Sequence, residues 1–124
     1  MKRVAAFVAV GACAAAVHQA SVMALVEAGL LPALAANVPA FALAWLVSYL
    51  GHRRFSFDSD RPHREAAPRF LAVSLLGFGS NQMLYAALLR WSGLHYAVAL
   101  FITLLAVAVM TYVLGRSWAF RSGR

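Results

Sequence analysis

Apolar residues run almost unbroken through four stretches, roughly Val4–Val26, Leu30–Leu50, Phe70–Leu89 and His95–Leu114, and polar residues gather between them. Each stretch is near the ~20 residues a helix needs to cross the hydrocarbon of a bilayer. In lipid only helices and closed barrels satisfy their own backbone. Continuous apolar runs, without the strict alternation of barrel strands, predict helices. Glu27-Ala28-Gly29 and Trp91-Ser92-Gly93 predict tight turns, so consecutive helices pair as two hairpins. Between the hairpins, His52–Arg69 carries Asp58, Asp60, Pro62, Glu65 and Pro68 and predicts a polar, mobile loop.

The second half of the chain repeats the first. Ser48-Tyr49-Leu50-Gly51-His52-Arg53-Arg54-Phe55-Ser56-Phe57 returns 63 positions later as Thr111-Tyr112-Val113-Leu114-Gly115-Arg116-Ser117-Trp118-Ala119-Phe120. Tyr49/Tyr112, Arg53/Arg116 and Phe57/Phe120 are identical, and Phe55/Trp118 are both aromatic. The same offset pairs Phe7 with Phe70, Gln19 with Gln82 and Leu25 with Leu88, without a gap. Each repeat is a whole hairpin, about 4–57 and about 67–120, within a single transmembrane domain over 1–124. Two helices per repeat return the chain to its starting side, so the repeats are parallel, and sites in repeat transporters tend to lie where repeats meet.

Composition agrees with burial in lipid. Of 124 residues, 63% are hydrophobic and 12% charged, too little polar surface for a soluble domain. The net charge of +7 raises nucleic acid as a partner, but its placement argues against that. Ten of the eleven Lys and Arg residues fall before the first helix, in the central loop or after the last helix; Arg90 alone falls at the other end. Positive residues remain on the cytoplasmic side. The expected fold is therefore an all-α membrane protein of four transmembrane helices, two tandem helical hairpins in parallel repeat, with N and C termini cytoplasmic. Lys2 and Arg3 ahead of an apolar run also fit a cleaved signal peptide. The resemblance of that run to an internal helix opposes cleavage. Cys13 is the single cysteine, so an intrachain disulfide is excluded and a small buried apolar role is expected.

Polar residues inside the spans carry the next signal. Ser74, Gly77, Asn81 and Tyr85 share one face of helix three by the helical period, and Gly11, Ala14, His18 and Val22 share the equivalent face of helix one. Gln19 and Gln82 sit beside these stripes, and Asn37 near the outer end of helix two. Imidazoles and amides in hydrocarbon are costly unless paired. One reading is glue, with His18 or Gln19 bonding Asn81 or Gln82 across the repeats. The other is a polar path for a hydrophilic headgroup; the two are compatible. Gly11/Ala15 and Ala12/Ala16 have the small-xxx-small spacing of close helix packing. Pro39 removes a backbone bond to Ala35, giving a harmless kink or a flexible point beside a cavity.

At the helix exits, Tyr49, Arg53 and Phe57 are spaced i, i+4, i+8, as are Tyr112, Arg116 and Phe120. Continued helix would flank each Arg with two aromatics. Interfacial anchoring explains such composition, while its duplicated order fits a lipid-phosphate site, because a guanidinium fork matches phosphate. No catalytic constellation, metal-ligand cluster or cofactor motif stands out, and Glu27 is the only acid near the helices. The expectation is a non-enzyme without cofactor.

With Phe7 and Phe70 opening the odd helices, and with the exits Tyr49, Arg53, Phe55, Phe57 and Tyr112, Arg116, Trp118, Phe120, the chain resembles the GtrA-like family of small four-helix membrane proteins over nearly its whole length. It departs where the family tends to have Asn before the Arg; here Gly51/His52 and Leu114/Gly115 stand. The resemblance implies cell-surface polysaccharide synthesis, with members moving polyprenyl-phosphate-linked sugars across the bacterial cytoplasmic membrane or assisting glycosyltransferases that use them. On that basis Arg53 and Arg116 would hold a lipid phosphate. Tyr49, Phe55, Tyr112 and Trp118 would contact sugar or prenyl chain, and His18, Gln19, Asn81 and Gln82 would form the intramembrane polar path. The expected partners are a polyprenyl-phosphate sugar, membrane lipids, a glycosyltransferase and a second copy of the chain. A non-transporting scaffold for a glycosyltransferase is the alternative. A proton-coupled drug exporter fits less well, since the spans lack a deep carboxylate.

Overall fold

The computed structural model describes the backbone of residues 2–51, 54 and 63–114, and the side chains of 5–51, 54, 68 and 71–110. Four helices follow in order: α1 (Lys2–Glu27), α2 (Ala33–Gly51), α3 (His63–Trp91) and α4 (Tyr96–Leu114). Three segments, Ala5–Glu27, Ala33–Gly51 and Leu71–Trp91, are long and apolar enough to cross a membrane. With 19 residues, α4 reaches about 28 Å at 1.5 Å per residue, close to the hydrocarbon thickness. The chain is an all-α, multi-pass membrane protein.

Large apolar side chains point outward in a way a water-soluble protein does not tolerate. Leu76 is 78% exposed and Met83 76%, with Phe7, Val8, Leu46 and Leu105 also exposed. Such exposure suits a surrounding in which hydrocarbon replaces water as the solvent.

The chain forms two compact units, 1–76 and 77–124, the division falling within α3. In the first, α1 and α2 form an antiparallel hairpin. Its turn is closed by backbone alone. Gly29 has φ +74°, a left-handed conformation that glycine takes without a Cβ clash. Leu30 N–H donates to Leu25 C=O and Gly29 N–H to Val26 C=O, each at 3.0 Å, the paired bonds of a Schellman cap. The Pro32 carbonyl then accepts from Ala36 N–H at 2.8 Å and starts α2. Val10, Ala14, His18 and Val22 are the buried face of α1, and Ala36, Asn37, Ala40, Ala44 and Tyr49 that of α2.

Close approach occurs where α2 ends. A Cβ on Gly51 would lie 2.7 Å and 3.0 Å from the two γ-methyls of Val10. The small-xxx-small residues do not provide it: Gly11, Ala12, Ala15 and Ala16 are all exposed, and nothing lies within 4 Å of a Cβ built on Gly11. They belong to the neighbouring faces of α1, one and two positions around from the buried stripe at 10, 14, 18 and 22. Cys13 is exposed as well, contrary to the buried role expected of it. Pro39 is also exposed.

In the second unit, α3 ends at Trp91 and α4 begins at Tyr96. Gly93 has φ +76°. Here a side chain completes the cap: Ser92 Oγ–H donates to Leu88 C=O at 2.6 Å and accepts from Leu94 N–H at 3.1 Å. His95 caps α4, its carbonyl accepting from Ala99 N–H and its Nδ1 from Ala97 N–H. The polar loop expected over His52–Arg69 is shorter than that, because α3 is already helical from His63. Arg64, Glu65, Ala66 and Ala67 are strong helix formers, and Pro68, which removes a bond to the Arg64 carbonyl, is exposed.

Candidate functional site

The polar side chains buried among the apolar spans define the site. His18 and Asn81 are each 5% exposed, and Asn37 and Thr103 are fully buried. His18 Nε2–H donates to Asn37 Oδ1 at 2.6 Å, linking α1 to α2 inside the hydrocarbon. Lone polar groups there are expensive, and mutual hydrogen bonding offsets the cost. The bond thus runs within the first hairpin; the expected partners, Asn81 and Gln82, lie in the other unit. Asn37 is the amide in the helix that follows α1, and consecutive helices of a hairpin are neighbours.

Gln19 is half-buried and its Nε2–H meets Met23 Sδ at 3.7 Å, a weak contact along α1. Thr103 Oγ1–H donates to Ala99 C=O at 2.8 Å, so its hydroxyl is satisfied by its own helix. Tyr85 is fully buried and its hydroxyl donates to the Tyr96 carbonyl at 3.2 Å, tying the end of α3 to the start of α4. Gln82, Ser74 and Gly77 are half-buried. Of the two polar stripes read from the sequence, Ala14, His18, Val22, Asn81 and Tyr85 are buried, and Val10 rather than Gly11 completes the first.

The buried positions correspond between the units. At the 63-residue offset, His18 pairs with Asn81, Val22 with Tyr85, Ala36 with Ala99, Asn37 with Leu100 and Ala40 with Thr103, and all ten residues are at most 5% exposed. Position 18/81 is polar in both copies. Position 37/100 is an amide in one and leucine in the other.

At the exit of the first hairpin, the Tyr49 ring is buried and stacked on Trp45, centroids 5.3 Å apart and planes within 5°. One ring face of this expected sugar or prenyl contact is therefore covered by protein. Arg54 beyond it is exposed. Arg53, Phe55, Arg116, Trp118 and the side chain of Tyr112 lie outside the described residues. Among the described residues, no three His, Cys, Asp or Glu side chains group as metal ligands. The described polar set can form hydrogen bonds to a headgroup; it offers no nucleophile with an adjacent base.

The comparisons with known proteins extend these findings. The family model described as GtrA/DPMS, transmembrane domain, matches residues 6–120. Searches of curated proteins and of solved structures found no significant match. The family match spans both repeats and both helix-exit motifs, and it coincides with four apolar helices and a duplicated buried face: the chain belongs to the GtrA/DPMS transmembrane-domain family.

Proposed function

We propose that this protein carries a polyprenyl-phosphate-linked monosaccharide across the bacterial cytoplasmic membrane for the synthesis or modification of a cell-surface polysaccharide. Membership of the GtrA/DPMS family is consistent with glycoconjugate synthesis at a membrane, and the finer reading rests on chemistry. The observation that carries it is the equivalent sequence position that is polar and buried in both repeats, His18 and Asn81. A sugar phosphate is strongly disfavoured in bare hydrocarbon, so a headgroup needs hydrogen-bonding groups within the span. In this reading both termini and the central loop are cytoplasmic, and Arg53 and Arg116 hold the phosphate there. Phe55, Tyr112 and Trp118 contact sugar or prenyl chain. Tyr49, buried against Trp45, positions the exit until the stack opens. Transport is passive and the protein is not an enzyme.

The test is reconstitution of the purified chain into vesicles holding a labelled polyprenyl-phosphate sugar in one leaflet. Faster appearance of label in the other leaflet than in empty vesicles is expected. No difference, with helical content intact, would count decisively against transport.

One observation favours a second reading. The exposed small residues Gly11, Ala12, Ala15 and Ala16 allow another helix to approach α1 closely, as a scaffold for a membrane glycosyltransferase or a homodimer would require. Under that reading, Gly11→Leu abolishes partner association and leaves lipid binding unchanged.

A further inference from the structure

The α1–α2 and α3–α4 turns occupy equivalent places in the two sequence repeats yet carry opposite chemistry. At the 63-residue offset Glu27 corresponds to Arg90, and Ala28 to Trp91. The α1–α2 turn is closed by backbone bonds and glycine. The α3–α4 turn instead holds an exposed cation against an exposed indole: the Arg90 guanidinium carbon lies 5.5 Å from the Trp91 ring centroid, and Trp91 is 75% exposed. Ser92 bonds Leu88 and Leu94 around them, and His95 bonds Ala97 with its ring 4.6 Å from that of Tyr96. The turn is therefore clamped on both sides of the Arg90–Trp91 pair. In the four-span topology read from the charge pattern, this turn falls on the face opposite the central loop.

An Arg in this turn runs against the charge pattern of the sequence, whose ten other Lys and Arg residues fall in the first residues, in the stretch between the two apolar hairpins or after the last apolar run. Anchoring accounts for Trp91 alone, since indoles settle at the interface. An exposed guanidinium held over an exposed indole suits a phosphate whose lipid chain lies beside the ring.

We propose that Arg90 and Trp91, on the Ser92-clamped α3–α4 turn, form a binding site for the phosphate of a prenyl lipid at the membrane face opposite the termini. The prenyl identity of the lipid rests on the transport reading above, in which this is where a carried phosphate arrives; the phosphate chemistry rests on the turn itself.

The experiment uses the full chain in phosphatidylcholine nanodiscs with Trp45→Phe and Trp118→Phe, which leaves Trp91 as the remaining one of three tryptophans. Farnesyl phosphate, farnesol and inorganic phosphate are titrated in turn while Trp91 emission is followed. A saturable change with farnesyl phosphate, weakened about tenfold by Arg90→Gln, is expected from loss of a charged hydrogen-bonding partner. The same response to farnesol, or an unchanged affinity in Arg90→Gln, overturns the site and leaves an interfacial anchor. An equal response to inorganic phosphate supports the site with free phosphate as its ligand. If the two Phe substitutions disturb helical content, the phosphorus NMR linewidth of farnesyl phosphate with the otherwise unaltered chain, against Arg90→Gln, gives the same decision. Binding by a chain that fails to move lipid in vesicles keeps this site and discards transport; transport without this response does the reverse.

Discussion

His18 Nε2 and Asn37 Oδ1 lie 2.6 Å apart and join two successive helices within the span. Neither side chain has water to fall back on if the other is removed. Asn37→Leu should therefore destabilise the first hairpin more than the double variant His18→Leu/Asn37→Leu, which removes both polar groups together. A coupling of about 0.6–1.7 kcal/mol is expected from comparable intramembrane pairs. Unfolding of the purified variants in mixed micelles measures it, and additive effects would show that the bond contributes nothing.

Gly51 tolerates no side chain while Val10 faces it. Gly51→Ala brings a Cβ to 2.7 Å of a β-branched side chain that is stiff about χ1, and overpacking of this kind costs about 1–3 kcal/mol. Val10→Ala in the same chain should restore most of the loss. A thermal melt of the single and double variants checks this; an unaltered Gly51→Ala melt would mean that the hairpin relaxes freely at its end.

The α1–α2 turn depends on one left-handed residue. Gly29→Ala at φ +74° should lower stability by about 1–2 kcal/mol, and Gly29→Asn by less, because asparagine accepts that conformation more readily. Equal melting of the two variants would argue that the turn rearranges.

Orientation is accessible through cysteine labelling. In a Cys13→Ser background, Arg90→Cys should react with a membrane-impermeant maleimide on intact cells, and Ser122→Cys only after the cells are opened. The reverse pattern would invert the topology on which the proposed phosphate route rests.

The helices were legible because lipid demands continuous apolar runs, and Val4–Val26, Leu30–Leu50, Phe70–Leu89 and His95–Leu114 fall within a few residues of α1 to α4 except at the start of α3, which lies seven residues earlier at His63. The early start of α3 was hidden by Pro62, Pro68 and the charges between them, which resemble a loop although Arg64–Ala67 favour helix. His18 and Asn81 stood out as polar residues in apolar surroundings. The partner of His18 did not, because periodicity reports which face a residue occupies and is silent on which helix covers it. The same silence covers Gly11, Ala12, Ala15 and Ala16: small size permits close packing, and within the first hairpin it is Gly51 that approaches α1 closely. Tyr49 was recognisable as an interfacial aromatic, but its stack on Trp45 sits at an i, i+4 spacing that also reads as ordinary helix surface.

Asn37 and Leu100 occupy the same place in the two copies. Whatever ancestor was doubled, one descendant half latches its helices through an amide and an imidazole, and the other presents a hydrocarbon surface at that point. Parting α1 from α2 would expose two polar groups to lipid, a penalty absent at position 100. Opening the first hairpin at this level therefore requires new partners for an imidazole and an amide, which a polar headgroup supplies and a hydrocarbon chain does not.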